Sequence, residues 1–155
     1  MQGQEKDSMK SHSVSITIVA DNQAGPGLAT EHGLALHIKS AGRHILFDTG
    51  QGHALTANAR PLGIALEQID TLVLSHRDTD HVGGAPAVLA MQPQAQLLSS
   101  IAADHGLQSL RPAQRCEAGQ HWEWDGVAFN VLHPQPADYD TAAKPNALSC
   151  VLRIS

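Results

Sequence analysis

The stretch TLVLSHRDTDHVGG, residues 71–84, limits what this chain can fold into more than any other part of it. The apolar run Leu72-Val73-Leu74 stops at Ser75. Four potential metal ligands follow, His76, Asp78, Asp80 and His81, and then Gly83-Gly84. The pattern predicts a buried strand, a ligand-rich loop and the start of a helix. A strand that ends in such a loop and turns straight into a helix aims several side chains at one point. Imidazoles and carboxylates there suit hard to borderline divalent ions such as zinc or manganese. The bland alternative is an exposed polar loop that holds two histidines; the flanking strand and glycines argue against it.

Spacing carries the chemistry. Residues 76 and 78 alternate along an extended stretch, so their side chains point the same way while Arg77 and Thr79 point elsewhere. Asp80 and His81 are adjacent and diverge, which suits them to a second ion. Two ions about 3.5–4 Å apart can share a water and lower its pKa. The glycines let the backbone pass close to such a site.

The segment resembles the signature of the metallo-β-lactamase superfamily, His-x-His-x-Asp-His after an apolar strand, with Asp78 in place of the second histidine. This His-x-Asp-x-Asp-His variant is similar to that of the extracytoplasmic domain of ComEC-type competence DNA-uptake proteins. The resemblance implies His76 and Asp78 on a first metal and Asp80 and His81 on a second. The cofactor is then one or two divalent ions, zinc or manganese, with Asp80 also orienting the attacking water. A carboxylate at position 78 is a harder ligand than imidazole and shifts preference from zinc toward manganese or magnesium.

The resemblance comes in two pieces. From about residue 70 onward the chain resembles the ComEC-type domain, most specifically in RCEAGQHWEWDGVAFNVLHP and KPNALSCVLRI. Before that, VADNQAGPGLATEHGLALHI and HILFDTGQGHALTANARPLGI resemble soluble hydrolases of the pterin or aminobenzene-phosphate synthase-like branch. The two patterns meet between Ile69 and His76, as they would in a chimera. In the superfamily, the aspartate matching Asp48 of ILFDTG lies under the metal loop and holds its ligands. Capping a plain turn is the alternative role for Asp48.

Other candidates are weaker. His133, in VLHP, is a further possible ligand, although His-Pro also serves simple chain reversal. Asn146 and Ser149 stand where the superfamily often places another first-metal histidine. Asp21 and His32 sit in loops that the hydrolase-like branch uses around its pocket. His12, His37, His44, His53, His105 and His121 read as surface or structural residues.

The superfamily fold is an αββα sandwich of two similar halves with the site between them. Its ComEC-type members follow the strand matching residues 149–154 with a Gly-Asp turn and a His-His-Gly segment, which supply further ligands. Neither occurs here, so the expected fold is α/β, the N-terminal half of such a sandwich over residues 14–155. An apolar face left open by a missing half invites a homodimer or a complementing C-terminal half. Residues 1–13 read as a disordered polar tail.

The resemblance implies hydrolysis of a phosphodiester, such as one strand of incoming DNA. The alternative is a truncated or recombinant module that binds an ion and catalyses nothing. A net charge of −5 argues against a strong nucleic-acid surface, and Arg111 with Arg115 is not a patch. The chain shows neither an apolar run of the ~18 residues that span a bilayer nor a signal-peptide apolar stretch. The implied location is extracytoplasmic within a ComEC-like protein and cytoplasmic otherwise.

With 155 residues, 42% of them hydrophobic but only 3% aromatic, one domain with an Ala, Leu, Val and Ile core is expected. Strands are predicted at 14–20, 34–38, 44–47, 72–75, 95–99 and 147–154, and a hairpin at 121–132 around Gly126. Helices are predicted at 53–62, 85–91 and 102–107. Cys116 and Cys150 form no C-x-x-C pair; each reads as a buried thiol unless the fold makes them neighbours.

Overall fold

The structure is a computed structural model that describes residues 13–100, 113–141 and 144–155. The helix expected over 102–107 and nearly all of the expected tail lie outside the described residues. One sheet runs in the order β1 (Val14–Ala20), β2 (Ala35–Ser40), β3 (Arg43–Phe47), β4 (Thr71–Leu74), β5 (Gln96–Ser99) and β6 (Gln114–Arg115). The first three strands are antiparallel and β3 to β6 are parallel.

Local chemistry explains this topology. Ser40 pairs with Arg43, leaving Ala41 and Gly42 as a two-residue turn with φ of 51° and 74°. Turns with both φ positive match the twist of the strands they join. Parallel neighbours need a crossover instead. Between β3 and β4 it contains α1 (His53–Ala59); between β4 and β5 it contains α2 (Thr79–Val82) and α3 (Ala85–Met91).

Strand β4 is buried at all four positions, as its unbroken apolar run predicts for a strand covered on both faces. Its side chains sort by the two-residue period. Leu72 and Leu74 join Leu46, Leu97, Leu55 and Val88 on the helix side, and Val73 joins Ile45 and Leu98 on the other.

That other face is covered by a second, antiparallel sheet of β7 (His121–Trp124), β8 (Val127–His133) and β9 (Val151–Ile154). Asp125 and Gly126, with φ of 47° and 83°, close its hairpin. The helix-side core is aliphatic, as expected. Both tryptophans and both phenylalanines gather between the sheets instead, where Trp122 stacks on Phe129 with ring centroids 5.3 Å apart. Helices, sheet and second sheet make three of the four layers of an αββα sandwich, which bears out the α/β expectation.

Some boundaries differ from expectation. The last strand begins at Val151, because Pro145–Leu148 is a 3-10 turn in which Ala147 N–H donates to the Lys144 carbonyl at 2.9 Å. Helix α1 ends at Ala59, and Gly63, with φ of 70°, turns the chain away. The short β6 was not expected. The cysteines need the largest correction. Cys116 and Cys150 form a disulfide with Cα atoms 6.0 Å apart, because the second sheet folds back until the start of β9 meets the end of β6. A sequence separation of 34 carries no trace of this contact.

Among the described residues β1 is an edge strand. Val14, Ile16 and Ile18 alternate along it and are 37%, 59% and 57% exposed, an apolar stripe of the kind expected on an open face. No described helix is long and apolar enough to cross a membrane.

Candidate metal centre

The site is built from the ends of two neighbouring parallel strands. Asp48 follows β3 with φ of 58°, a left-handed conformation that aspartate tolerates better than most residues. This turns its carboxylate, 1% exposed, beneath the loop that follows β4. Asp48 Oδ1 accepts the Ser75 N–H at 2.7 Å. Its Oδ2 accepts the Ser75 hydroxyl at 2.6 Å and faces His81 Nδ1 at 2.7 Å. Burial pushes the Asp48 carboxyl above its ordinary value, against the opposing pull of donation from Ser75 and His81.

This buried anchor sets both imidazoles. Ser75 gives its proton to Asp48, so its oxygen accepts from His76 Nδ1, 2.9 Å away. His81 likewise donates through Nδ1 to Asp48. With Nδ1 engaged on both rings, Nε2 is the nitrogen turned toward the carboxylates of the loop, the orientation metal-ligating histidines use. His76 Nε2 lies 3.4 Å from Asp78 Oδ2, and His81 Nε2 lies 3.4 Å from Asp80 Oδ2. The two ring centroids are 4.1 Å apart.

These lengths test the fit to a metal. A charge-assisted hydrogen bond spans about 2.7–2.9 Å. Two ligands each about 2.1 Å from a tetrahedral ion stand ~3.4 Å from one another. The His–Asp pairs have the second spacing, while the Asp48–His81 contact has the first. The donors therefore fit a divalent ion in chemistry and pairwise spacing. As placed they meet in pairs, and among the described residues no group of three or more His, Cys, Asp or Glu closes around one point.

The glycines are needed for backbone contact. A Cβ on Gly83 would lie 2.7 Å from the carbonyl oxygens of Gln51 and Thr79, and one on Gly84 would lie 2.8 Å from that of Thr49. The loop after β3 is thus pressed against the metal loop. Thr49 cements it, donating its N–H to the His81 carbonyl at 2.7 Å and accepting the Gly84 N–H at 3.0 Å.

Several residues here escaped the sequence reading. Ser75 links Asp48 to His76. Glu31 reaches over from the loop before β2 and accepts the N–H groups of Gln51 at 2.9 Å, Gly52 at 3.3 Å and Ala54 at 2.9 Å. It thereby caps the start of α1 from some twenty residues away in sequence. No local signal betrays such a long-range cap.

The weaker candidates separate. His32 enters the site, with Nε2 3.5 Å from Asp80 Oδ2. It lines a cleft of ≈ 560 Å³ with Gln51, Arg77, Asp78, Thr79 and Asp80. Asp21 lines a different cavity, beside Leu28 and Asn58. His133 turns both ring nitrogens elsewhere, Nε2 to the Ala147 carbonyl at 2.8 Å and Nδ1 toward Asp138 at 3.6 Å. Asn146 and Ser149 lie in the segment that Cys150 ties to the metal loop through its N–H to the Ser75 carbonyl, 2.8 Å. Arg115 is held by Glu117 and lies over the Tyr139 ring, and Arg111 is outside the described residues.

Residues 31–137 match the family model of the metallo-beta-lactamase superfamily. The chain belongs to the metallo-β-lactamase superfamily. Within it, the chain is 36% identical over 124 residues to "Competence protein ComA" of Neisseria gonorrhoeae, covering 79% of this chain and 16% of that protein. It is 34% identical over 130 residues to "Recombination protein 2" of Haemophilus influenzae, covering 79% of this chain and 15% of that one. The first match is longer than the whole stretch from Asp70 to Ser155, so the likeness to competence proteins reaches into the N-terminal part as well.

Solved metallo-β-lactamase folds agree. YhfI of Bacillus subtilis superposes with a TM-score of 0.62 at 15% identity, covering 92% of this chain and 57% of that one. The subclass B3 enzyme MEM-A1, from a soil metagenome library, gives 0.57 at 22% identity and 77% and 49% coverage. The chain therefore spans about half of these folded superfamily members and about one sixth of the competence and recombination proteins. The family is hydrolase-like.

Proposed function

We propose that this chain carries the metal-binding half of a phosphodiester hydrolase that acts on DNA. The observation behind the reading is the paired geometry of His76 with Asp78 and His81 with Asp80, both imidazoles fixed through Nδ1 by the Asp48–Ser75 anchor. Divalent ions held by the His76–Asp78 and His81–Asp80 pairs, with ligands from outside these pairs, would supply Lewis acidity toward a phosphoryl oxygen. The protein's own part is orientation. Asp48 and Ser75 hold the rings, and the glycine-lined backbone contact fixes the loop against the strand ends. In this reading Asp80, at the edge of the cleft, holds a water and accepts its proton as the water oxygen bonds to phosphorus, and the ester oxygen leaves as the P–O bond breaks and takes a proton from solvent.

Names of relatives point to DNA, through competence and recombination; the chain's own charge of −5 does not. The buried disulfide supports an oxidising, extracytoplasmic setting. A second reading, a metal-binding module without catalysis of its own, is favoured by donors that meet only in pairs.

The assay is turnover of single-stranded DNA and of a nitrophenyl phosphodiester with manganese or zinc. The chain alone is expected to show very weak activity. Adding a separately expressed C-terminal half of a competence protein should raise it by about 10²-fold or more, the range a positioned acid–base group contributes. Strong metal-dependent turnover by the chain alone would show that these residues form a complete site. No turnover from either preparation would sink the phosphodiesterase assignment.

A further inference from the structure

We propose that β1 is a self-association edge. Two copies of this chain pair their β1 strands antiparallel about a two-fold axis through Ile16, which joins their large sheets into one.

The edge itself is the first support. Strand β1 ends the six-stranded sheet, with β2 as its strand neighbour among the described residues. Its outer side presents the backbone N–H and C=O groups of an extended run, a template for another strand. Such edges are ordinarily guarded by a charge, a proline or a bulge. The strand VSITIVA holds neither charge nor proline, and its register shift falls past Ile18, between Ile18 and Ala20. The run Val14–Ile18 is therefore regular, and β-branched at every position but Ser15.

Side chains choose the occupant. Val14, Ile16 and Ile18 stand opposite Ser40, Ile38 and Leu36 of β2. Directly opposed residues share a face, and Ile38 packs between the two sheets. The stripe thus lies on the face that the second sheet covers, but beyond that cover: Ile38 is 4% exposed and Ile16 59%. Turned upon itself about Ile16, the strand sets Ile16 against its own copy. Val14 then meets the partner's Ile18, and Ser15 meets the partner's Thr17. Apolar faces apolar on one side of the sheet and hydroxyl faces hydroxyl on the other, pairings that stabilise strands. One strand supplies both halves of the match, as an isologous contact requires. The strand is also uncharged on a chain that carries −5. Two copies therefore meet here without like charges in opposition, and a charged partner finds nothing to pair with.

Two measurements on the full chain test the proposal. Sedimentation equilibrium should show a monomer–dimer equilibrium, and Ile16→Lys should weaken the dimer about tenfold or more by setting two ammonium groups against each other. Position 16 is exposed, so the thermal midpoint of the variant should stay within about 2 °C of the parent's when both are dilute. Register is read by cross-linking with diamide, since the native cysteines are already paired. Opposed Cα atoms of antiparallel strands stand about 4.5–5.5 Å apart, within reach of a disulfide. Ile16→Cys should therefore link to itself. Val14→Cys should link to Ile18→Cys and not to itself, because two copies of position 14 would stand about 14 Å apart.

A monomer at every concentration would overturn the proposal. If that monomer binds a separately expressed C-terminal half of a competence protein, and Ile16→Lys abolishes the binding, the stripe belongs to that half. A dimer that Ile16→Lys leaves intact, or in which Val14→Cys links to itself as readily as Ile16→Cys, is built on another surface. Growth past the dimer would also contradict it, since a two-fold pairing consumes both edges.

Discussion

Reducing the Cys116–Cys150 bridge should lower the thermal midpoint by about 10 °C. The bond closes a loop across a sequence separation of 34, and the chain-entropy treatment gives about 4 kcal/mol for a loop of that size. For a chain of this length each kcal/mol moves the midpoint by about 2–4 °C. The consequence reaches the site, because the Cys150 N–H donates to the carbonyl of Ser75, the residue that links Asp48 to His76. Thermal melts with and without a phosphine reductant, and of Cys116→Ala/Cys150→Ala, give the measurement. A shift under about 2 °C would mean that the bridge does not constrain the unfolded chain.

Asp48→Ala should cost about 3 kcal/mol or more. It strips the acceptor from Ser75 N–H, the Ser75 hydroxyl and His81 Nδ1 in a buried setting, where each unsatisfied polar group costs about 1–3 kcal/mol. It also leaves alanine with a φ of 58°, which suits it less well than aspartate. Asp48→Asn keeps the shape and tolerates that backbone, so about half the loss is expected. Chemical denaturation of the two variants checks the order. Equal, small losses would reduce Asp48 to an ordinary turn residue.

Strands and site were legible in the sequence to different degrees. The run Leu72–Leu74 announced β4 because a strand buried on both faces must be apolar throughout. Gly126 announced the hairpin over 121–132 because a two-residue turn needs a residue that accepts positive φ. Asp48 was readable only through the family resemblance, because an aspartate at a strand end before Thr-Gly equally suits a plain turn. What stayed hidden depends on contacts distant in sequence. Glu31 caps α1 from the loop before β2, and the cysteines meet only once one sheet covers the other. His32 looked weak because nothing local says that Gly33 and Leu34 lock it against Asp80. Proline and asparagine at positions 145 and 146 turned the start of the expected last strand into a 3-10 turn, a competition that hydrophobic pattern alone does not register.

Metal content of the purified chain tests the central claim most directly. The chain is stripped, reloaded with manganese or zinc, desalted and analysed by elemental mass spectrometry, beside His76→Ala/Asp80→Ala with its fold verified by circular dichroism. Each His–Asp pair loses one member in that variant. The account predicts at least one ion retained per parent chain and none by the double variant. Equal retention by the two would contradict it, because the ion would then be held somewhere other than the loop after β4.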